Sequence, residues 1–243
     1  MVQKQSAATD QDLRQIADML ILNGTLVSCP GLMHGKMGIA VFFFHYAQYT
    51  GNELFEDYAM DLIREMQSQL HNNSPADYER GIAGIGAGMD YLIKNQFLCS
   101  DDDIFDDFDK RMVRAVLYDP LPDFSLYDGS TGYGRYWMMR LASSKQAKDC
   151  LLHIVEQVEE NLSDISVPER IDVYRFLQDL SQIQGFEMCT GLMEELEISS
   201  VDSPRLDMEK PPAGMGLLTG YAGKGMIRLT ELNQLNTSWK NLL

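Results

Sequence analysis

Apolar residues recur every three or four positions in several long segments of the chain. Residues 53–70 show the pattern most clearly, because their apolar side chains fall on one side of a helical projection. This periodicity predicts an amphipathic helix with one face on a hydrophobic core. The same argument predicts amphipathic helices over residues 9–22, 101–117 and 144–162.

A second kind of segment is apolar on nearly every side. Residues 38–47 read Gly-Ile-Ala-Val-Phe-Phe-Phe-His-Tyr-Ala, which predicts a helix that is buried over most of its surface. No segment alternates apolar and polar residues convincingly over the length of a strand. We therefore predict an all-α protein with amphipathic outer helices and buried inner helices. Residues 198–216, which contain three prolines, are predicted to form a long loop.

A short glycine pattern, Gly-x-x-Gly-x-small, marks the start of the inner helices. Its four copies begin at Gly35, Gly81, Gly129 and Gly220. The first three begin 46 and 48 residues apart, whereas the last follows after 91 residues, which is nearly two periods. The repeat therefore predicts a fifth unit, without the glycines, near residues 170–184. About five helix pairs would then fill the chain as one domain.

The recurrent glycines have two interpretations. Glycine has no Cβ, so it permits a sharp turn into the helix and a close approach of neighbouring backbones. Alternatively, several helix N-termini converge at one end of the molecule and leave free N–H groups that bind an anion or a carbonyl. The two can coexist, and packing is the simpler explanation.

Charge and composition exclude several classes of partner. The net charge of −16 disfavours nucleic acid and anionic lipid, because both are bound mainly through Lys and Arg. The longest apolar run, residues 39–44, is far shorter than the roughly 20 residues that a membrane span needs. Residues 1–12 are polar and lack the pattern of a secretory leader. With four widely spaced cysteines, these features predict a cytoplasmic protein with reduced thiols.

Three segments resemble the repeats of a known family. They read His-Gly-Lys-Met-Gly at 34–38, Asp-Gly-Ser-Thr-Gly at 128–132 and, most specifically, Gly-Leu-Leu-Thr-Gly-Tyr-Ala-Gly-Lys-Gly at 216–225. They are similar to segments of lanthionine synthetase C-like (LanC-like) proteins, and the resemblance extends over residues 31–232. It implies an α/α toroid, here a ring of about five helix pairs over residues 1–243, with its active centre at a glycine-lined mouth.

The resemblance also implies a chemistry, from which this chain departs at the metal ligands. Family members use zinc, held by two cysteines and a histidine, to add a peptide cysteine thiol to a dehydrated serine or threonine. In the two positions before the motif glycines, where the family has those cysteines, this sequence has Tyr127-Asp128 and Leu218-Thr219 instead. Cys189 lies two residues before a glycine but out of register with the repeat. We therefore predict no metal and no cofactor, and regard the chain as a pseudoenzyme.

Residues just before and within the motifs are the candidates for ligand binding. If the inner helices all run the same way, these residues face one shared mouth. Their mixture of polar and aromatic groups suits a central pocket for a peptide or a partner protein. His34 stands where the family places a histidine, although a histidine at a helix start is often a capping residue. The predicted mouth residues are His34, Glu79, Arg80, Tyr127, Asp128, Tyr133, Thr219 and Tyr221.

The sequence leaves two functions open. The first is a non-zinc accessory or binding protein in peptide modification. The second is a zinc-independent enzyme, either a peptide cyclase or a glycosidase-like hydrolase with paired carboxylates among Asp77, Glu79 and Asp128. The first is favoured because a chain with 36 acidic residues places some near any loop end by chance.

Overall fold

The computed structural model describes residues 2–71, 73–99, 105–120, 122–196, 198 and 211–243. These residues form ten α-helices and two short 3-10 helices, Gly24–Leu26 and Thr237–Leu242, and contain no β-strand. The all-α prediction is confirmed. The α-helices are α1 (Val2–Asn23), α2 (Lys36–Thr50), α3 (Leu54–Gln69), α4 (Ile82–Lys94), α5 (Asp106–Leu117), α6 (Ser130–Arg140), α7 (Ala147–Glu160), α8 (Val167–Ser181), α9 (Cys189–Glu195) and α10 (Tyr221–Glu231).

Helix positions follow the apolar periodicity closely. The predicted outer helices at 53–70 and 144–162 correspond to α3 and α7, and α8 supplies the helix of the predicted fifth unit. This helix begins a few residues before the predicted start, because Ser166 and Glu169 form a capping box that satisfies the first backbone N–H groups. Residues 101–104 and most of the predicted loop at 198–216 lie outside the described residues.

The chain divides into two compact units. The first comprises the described parts of residues 1–74, 88–99 and 204–243, and the second those of residues 75–87 and 100–203. Helix α4 contributes its first residues to the second unit and the others to the first. The single toroid domain over residues 1–243 stays a prediction.

Helix α2 is the buried centre of the first unit. Residues 36–47 are all buried, which confirms that this apolar segment is an inner helix. The ring of Phe43 stacks on Phe55 and meets the edge of Tyr58, both on α3. The last inner helix, α10, packs against both α2 and α1. The outer helix α3 buries the apolar face predicted from its sequence, namely Ala59, Leu62, Ile63 and Met66.

In the second unit, α6 contacts α5, α7 and α8. Tyr136 and Trp137 are fully buried, so they belong to the core of this unit. The Tyr136 hydroxyl donates to Asp109 Oδ1 at 2.5 Å, and Arg140 makes two hydrogen bonds of 3.2 Å to the same carboxylate. This half-buried cluster ties α6 to α5.

The glycine that ends three of the motifs accommodates an aromatic ring from another inner helix. A Cβ on Gly86 would lie 2.5 Å from the ring of Tyr136, and a Cβ on Gly134 would lie 2.3 Å from that of Phe176. Gly225 has the same relation to Phe42, at 2.2 Å. Glycine at these positions is therefore required for inner helices to pack closely within each unit.

Burial of His45 makes stability depend on pH. Its Nε2 lies 2.8 Å from the hydroxyl oxygen of Tyr91 in a hydrogen bond, and burial lowers the pKa of His45 from 6.5 to about 4. A depressed histidine pKa stabilises the fold above pH 6.5, and this contribution is lost as the pH falls toward 4. Between pH 7.5 and pH 5 the loss should be about 2 kcal/mol in urea unfolding.

The matched control separates this histidine from other titrating groups. The His45→Gln variant removes the titrating imidazole, so it should lose about 2 kcal/mol less than wild type over the same interval. An identical pH dependence in wild type and His45→Gln would contradict the assignment.

Candidate functional site

All four glycine motifs begin with the same backbone hydrogen bond. The first N–H of each inner helix donates to the carbonyl seven residues earlier, so the preceding loop folds back over the helix start. The bonds are Lys36 N to Cys29 O (3.0 Å), Ile82 N to Pro75 O (2.9 Å), Ser130 N to Asp123 O (2.8 Å) and Tyr221 N to Gly214 O (2.9 Å).

These loops explain why the motif positions are glycine. A Cβ on Gly129 would lie 2.4 Å from the carbonyl oxygen of Asp123, and one on Gly132 would lie 2.2 Å from that of Leu126. The packing interpretation is therefore confirmed. The prediction of free helix N–H groups is wrong for the first position of each inner helix, because the loop carbonyls already accept its hydrogen bond. A ligand at these helix starts must be recognised mainly by side chains.

The second unit brings the starts of α4 and α6 together. The backbone N–H groups of Tyr78 and Glu79 both donate to the carbonyl of Tyr127, at 2.9 and 3.1 Å. Glu79 also pairs with Arg80 at 3.4 Å. Asp77 Oδ1 accepts from the N–H groups of Arg80 and of the glycine that follows, at 2.6 and 3.2 Å. Thus Glu79 and Arg80 lie near Tyr127, which is far from them in the sequence.

Carboxylates dominate the electrostatics around Asp128. The side chain of Asp128 is exposed, yet partial desolvation and then the negative charge of Glu79 raise its pKa. Asp77 and Asp123 act in the same direction, whereas Arg80 opposes them. Tyr133 is only 3% exposed, and burial followed by the charges of Asp77, Asp123 and Asp128 raises its pKa to about 12. Tyr133 therefore supports this surface from below, and a ligand would meet mainly Asp128 and Arg80.

Two carboxylates on α8 hold the loop before α6, and the sequence analysis missed them. Glu169 Oε1 accepts from the N–H of Phe124 at 3.0 Å, and Asp172 Oδ2 accepts from that of Leu126 at 2.9 Å. Phe176 packs on Gly134 as Tyr136 packs on Gly86, so Phe176 is the counterpart of Tyr136 in the repeat. Glu169 and Asp172 precede Phe176 by the same intervals by which the two motif glycines of α6 precede Tyr136. Where the other repeats pack a glycine against backbone, the fifth repeat therefore has side chains that accept hydrogen bonds from the loop before α6.

The first unit places His34 beside the loop that precedes α10. A Cβ on Gly216 would lie 2.5 Å from His34 Cα, and Leu218 N donates to the carbonyl of Met33 at 3.0 Å. Thr219 is exposed, and its carbonyl accepts from the N–H of residue 213 at 2.9 Å. The side chain of Tyr221 lines a cavity between α1 and α10.

The eight predicted mouth residues therefore fall into two groups. His34, Thr219 and Tyr221 belong to the first unit, and the other five belong to the second. Within each unit, neighbouring inner helices start at the same end, since the contacts just described join α2 with α10, α4 with α6 and α6 with α8. One mouth shared by all eight residues, and its role in binding, stay predictions.

The donor atoms do not fit the zinc chemistry implied by the family. Neither Tyr127-Asp128 nor Leu218-Thr219 supplies a thiolate before its motif glycine, and zinc sites of this type use sulfur and imidazole. Burial raises the pKa of Cys150 to about 12 and that of Cys189 to about 11, which disfavours the metal-binding thiolate. Over the described parts of the chain, no three His, Cys, Asp or Glu side chains are placed to hold a metal ion.

A comparison with known families agrees with this fold. A sequence model of the lanthionine synthetase C-like proteins matches residues 27–175, more than half of the chain. The chain therefore belongs to the lanthionine synthetase C-like family. The matched part includes the motifs at Gly35, Gly81 and Gly129 and ends before the one at Gly220. No curated protein matches the chain. Among the described helices, none is long and apolar enough to cross a membrane.

The zinc content of the purified protein tests whether these residues can hold a zinc ion. Purified protein that is equilibrated with micromolar zinc and desalted should retain far less than one zinc ion per chain, because the family's two thiolates are replaced. Elemental analysis measures this directly. Stoichiometric zinc that is lost on replacing Cys189 and His34 with alanine would show that these residues form a metal site.

Proposed function

We propose that this LanC-like protein binds a peptide at the starts of its inner helices and acts as a non-zinc accessory or binding protein in peptide modification. The observation that carries the proposal is that the two positions before the motif glycines hold Tyr127-Asp128 and Leu218-Thr219 in place of the family's zinc cysteines, and that Asp128 and Thr219 are exposed. Exposed polar side chains at these positions can recognise a ligand without a metal. The first backbone N–H of each helix that starts at a glycine motif is already bonded, so recognition falls to these side chains.

The charge distribution indicates which peptides should bind. Asp77, Glu79 and Asp123 lie close enough to Asp128 to raise its pKa, and Arg80 offsets only part of their effect. Such a surface favours a peptide with Lys, Arg or a free amino terminus and repels phosphate. Neither nucleic acid nor membrane is proposed as a partner, because the net charge of −16 opposes binding to both. We place the protein in the cytoplasm.

Substitution at the predicted mouth should weaken binding without unfolding the protein. Peptides are first selected on the immobilised full chain from a phage-displayed random library, and their affinity is measured by fluorescence anisotropy. Asp128→Asn combined with His34→Ala should raise the Kd at least about tenfold, since a charge-assisted hydrogen bond is lost. The melting temperature should change little, because Asp128 is exposed and lies outside the core.

The control variant is Asp107→Asn, which removes an acid from α5 whose side chain is 91% exposed. It should leave the Kd unchanged while altering the net charge equally. Equal affinity of the wild type and the double variant would reject the mouth, and failure to select any peptide would reject peptide binding.

One observation favours the enzymatic alternative. Carboxylates do gather at the start of α6, and the raised pKa of Asp128 beside Glu79 is a property of general acids. Two assays test this alternative. A zinc-independent peptide cyclase would consume the free thiol of a peptide that contains cysteine and dehydroalanine. A glycosidase-like hydrolase would release nitrophenol from nitrophenyl glycosides. Turnover that disappears in Asp128→Asn would establish the enzyme. Rates equal to those of buffer support the binding protein.

A further inference from the structure

The end of α1 presents an apolar surface to solvent. Among the described residues, eight large apolar side chains are exposed, and four of them lie within residues 19–26. These four make up the α1 face and are Met19, Ile21, Leu22 and Leu26. Leu22 is 70% exposed and Leu26 is 78% exposed. Since Met19, Leu22 and Leu26 follow one another at intervals of three and four residues, they form a stripe along this end of the first unit.

The sequence around the α1 face is unusual for this chain. Residues 19–33 contain no charged residue, although 23% of the whole chain is charged. A single exposed leucine is ordinary in a soluble protein, because much of any protein surface is apolar. Several exposed apolar side chains side by side are typical of a surface that another molecule covers.

A cavity lies at one side of the α1 face, between α1 and α10. Its volume is about 250 Å³, and Met19 lines it together with Ile16 and Pro212. Pockets for drug-sized molecules have roughly 300–1,000 Å³, so this cavity is of the size that takes one large apolar side chain. An apolar stripe beside such a cavity matches an amphipathic helix, whose apolar anchors also recur every three or four residues.

Acidic residues flank the α1 face on α1 and on α3. Asp18 directly precedes it and is exposed. The hydroxyl of Tyr58 donates to the carbonyl oxygen of Leu20 at 3.2 Å, which joins α3 to the end of α1. The first turn of α3 carries Glu56 and Asp57, both exposed. This side of the face therefore has a negative potential.

The charges on the α10 side do not reverse this potential. Arg228 is shared between two acids, since its Nη2 donates to Asp12 Oδ2 at 3.0 Å and its Nη1 donates to Glu231 Oε2 at 2.8 Å. Lys224 also lines the cavity. Acids thus outnumber bases around the face, and the whole chain carries a net charge of −16. A partner with Lys or Arg beside its apolar residues is attracted, whereas a second copy of this chain is repelled.

We propose that the α1 face binds a basic amphipathic helix of a partner protein. The apolar residues of that helix pack on Leu22 and Leu26, and one of them enters the cavity beside Met19. Its Lys and Arg side chains lie near Asp18 and the acids of α3. The face contains none of the eight predicted mouth residues, although Tyr221 also lines the cavity. The proposal therefore goes beyond peptide binding at the helix starts.

Fluorescence anisotropy on the full chain tests the chemistry of the partner. The probe is a labelled peptide of about 18 residues of Leu and Lys, with the leucines on one helical face. It should bind at least about tenfold more tightly than a peptide of the same composition whose leucines are spread around the helix. The same difference is expected against a peptide with Glu in place of Lys.

Variants locate the binding on the α1 face. Leu22→Ser combined with Leu26→Ser should raise the Kd of the amphipathic peptide at least about tenfold. The melting temperature should change little, because both side chains are exposed. Val167→Ser combined with Met188→Ser removes two exposed apolar side chains from the second unit and should leave the Kd unchanged.

A second variant separates this surface from the proposed peptide site. Asp128→Asn combined with His34→Ala should leave the Kd of the amphipathic peptide unchanged. Loss of binding in this variant, with wild-type affinity in the Leu22 and Leu26 variant, would place the peptide at the helix starts and overturn the proposal. It is also overturned if the peptide does not bind at submillimolar concentration or if the three peptides bind equally.

Two further measurements address other occupants of the α1 face. Analytical ultracentrifugation should show a monomer, and a dimer that dissociates in the Leu22 and Leu26 variant would assign the face to a second copy of the chain. Phosphatidylcholine vesicles should not bind in a flotation assay, and binding that this variant abolishes would assign the face to a lipid surface. Either result would overturn the proposal.

Discussion

Replacing Gly132 with alanine should destabilise the protein by about 3 kcal/mol or more. The new Cβ would lie 2.2 Å from the carbonyl oxygen of Leu126 and 2.7 Å from the Cβ of Tyr78. Both neighbours are held in place, because Leu126 N donates to Asp172 and Tyr78 N donates to the carbonyl of Tyr127. Helix α6 must therefore move away from its own loop to relieve the overlap.

Gly191→Ala is the matched control for this prediction. Gly191 is also helical and belongs to the same unit, but a Cβ there would have no atom within 4 Å. Alanine should stabilise α9 by about 0.5–1 kcal/mol, because glycine is the poorer helix former. Urea unfolding compares the two variants. Equal effects at Gly132 and Gly191 would show that the motif glycines are not required by backbone contact.

Removal of the Asp109 carboxylate should have a comparable effect. Asp109 and Arg140 are only 13% and 11% exposed, and Arg140 also lies over the ring of Phe105 at 4.1 Å. Asp109→Ala leaves the guanidinium buried without its partner and frees the hydroxyl of Tyr136. The expected loss in the free energy of unfolding is about 3–5 kcal/mol.

The comparison variant for Asp109 is Asp107→Ala on the same helix. Asp107 is 91% exposed and pairs with an exposed lysine, so solvent screens the interaction and its removal should be hardly measurable. A loss at Asp109 no larger than that at Asp107 would contradict the structural role of the cluster. Chemical denaturation at neutral pH measures both.

Helix class and order could be predicted because they depend on local apolar periodicity. The amphipathic pattern of 53–70 located α3 to within one residue at each end, and the uniformly apolar segment at 38–47 identified α2 as buried. Residues 170–184 lack the glycine motif but keep apolar residues at helical spacing, so α8 could still be predicted. These features need only the spacing of residues along one helix.

The details of the candidate site could not be predicted in the same way, since they depend on contacts between distant segments. Nothing in the sequence shows that the loop carbonyls accept the first N–H of each inner helix, so those groups were expected to be free. In the sequence, Glu169 and Asp172 look like ordinary surface acids of α8. Only the contact of Phe176 with Gly134 shows that they stand at the positions of the motif glycines. The proximity of Glu79 to Tyr127 likewise required coordinates.

Photo-crosslinking tests peptide binding at the helix starts most directly. A selected peptide that carries a diazirine is irradiated with the full chain, and the labelled protein segments are identified by mass spectrometry. We expect labels in residues 77–80 and 127–128, with fewer labels in the variant that combines Asp128→Asn and His34→Ala. Labels confined to the outer helices α3, α5 and α7, unchanged in that variant, would contradict a peptide site at the starts of the inner helices.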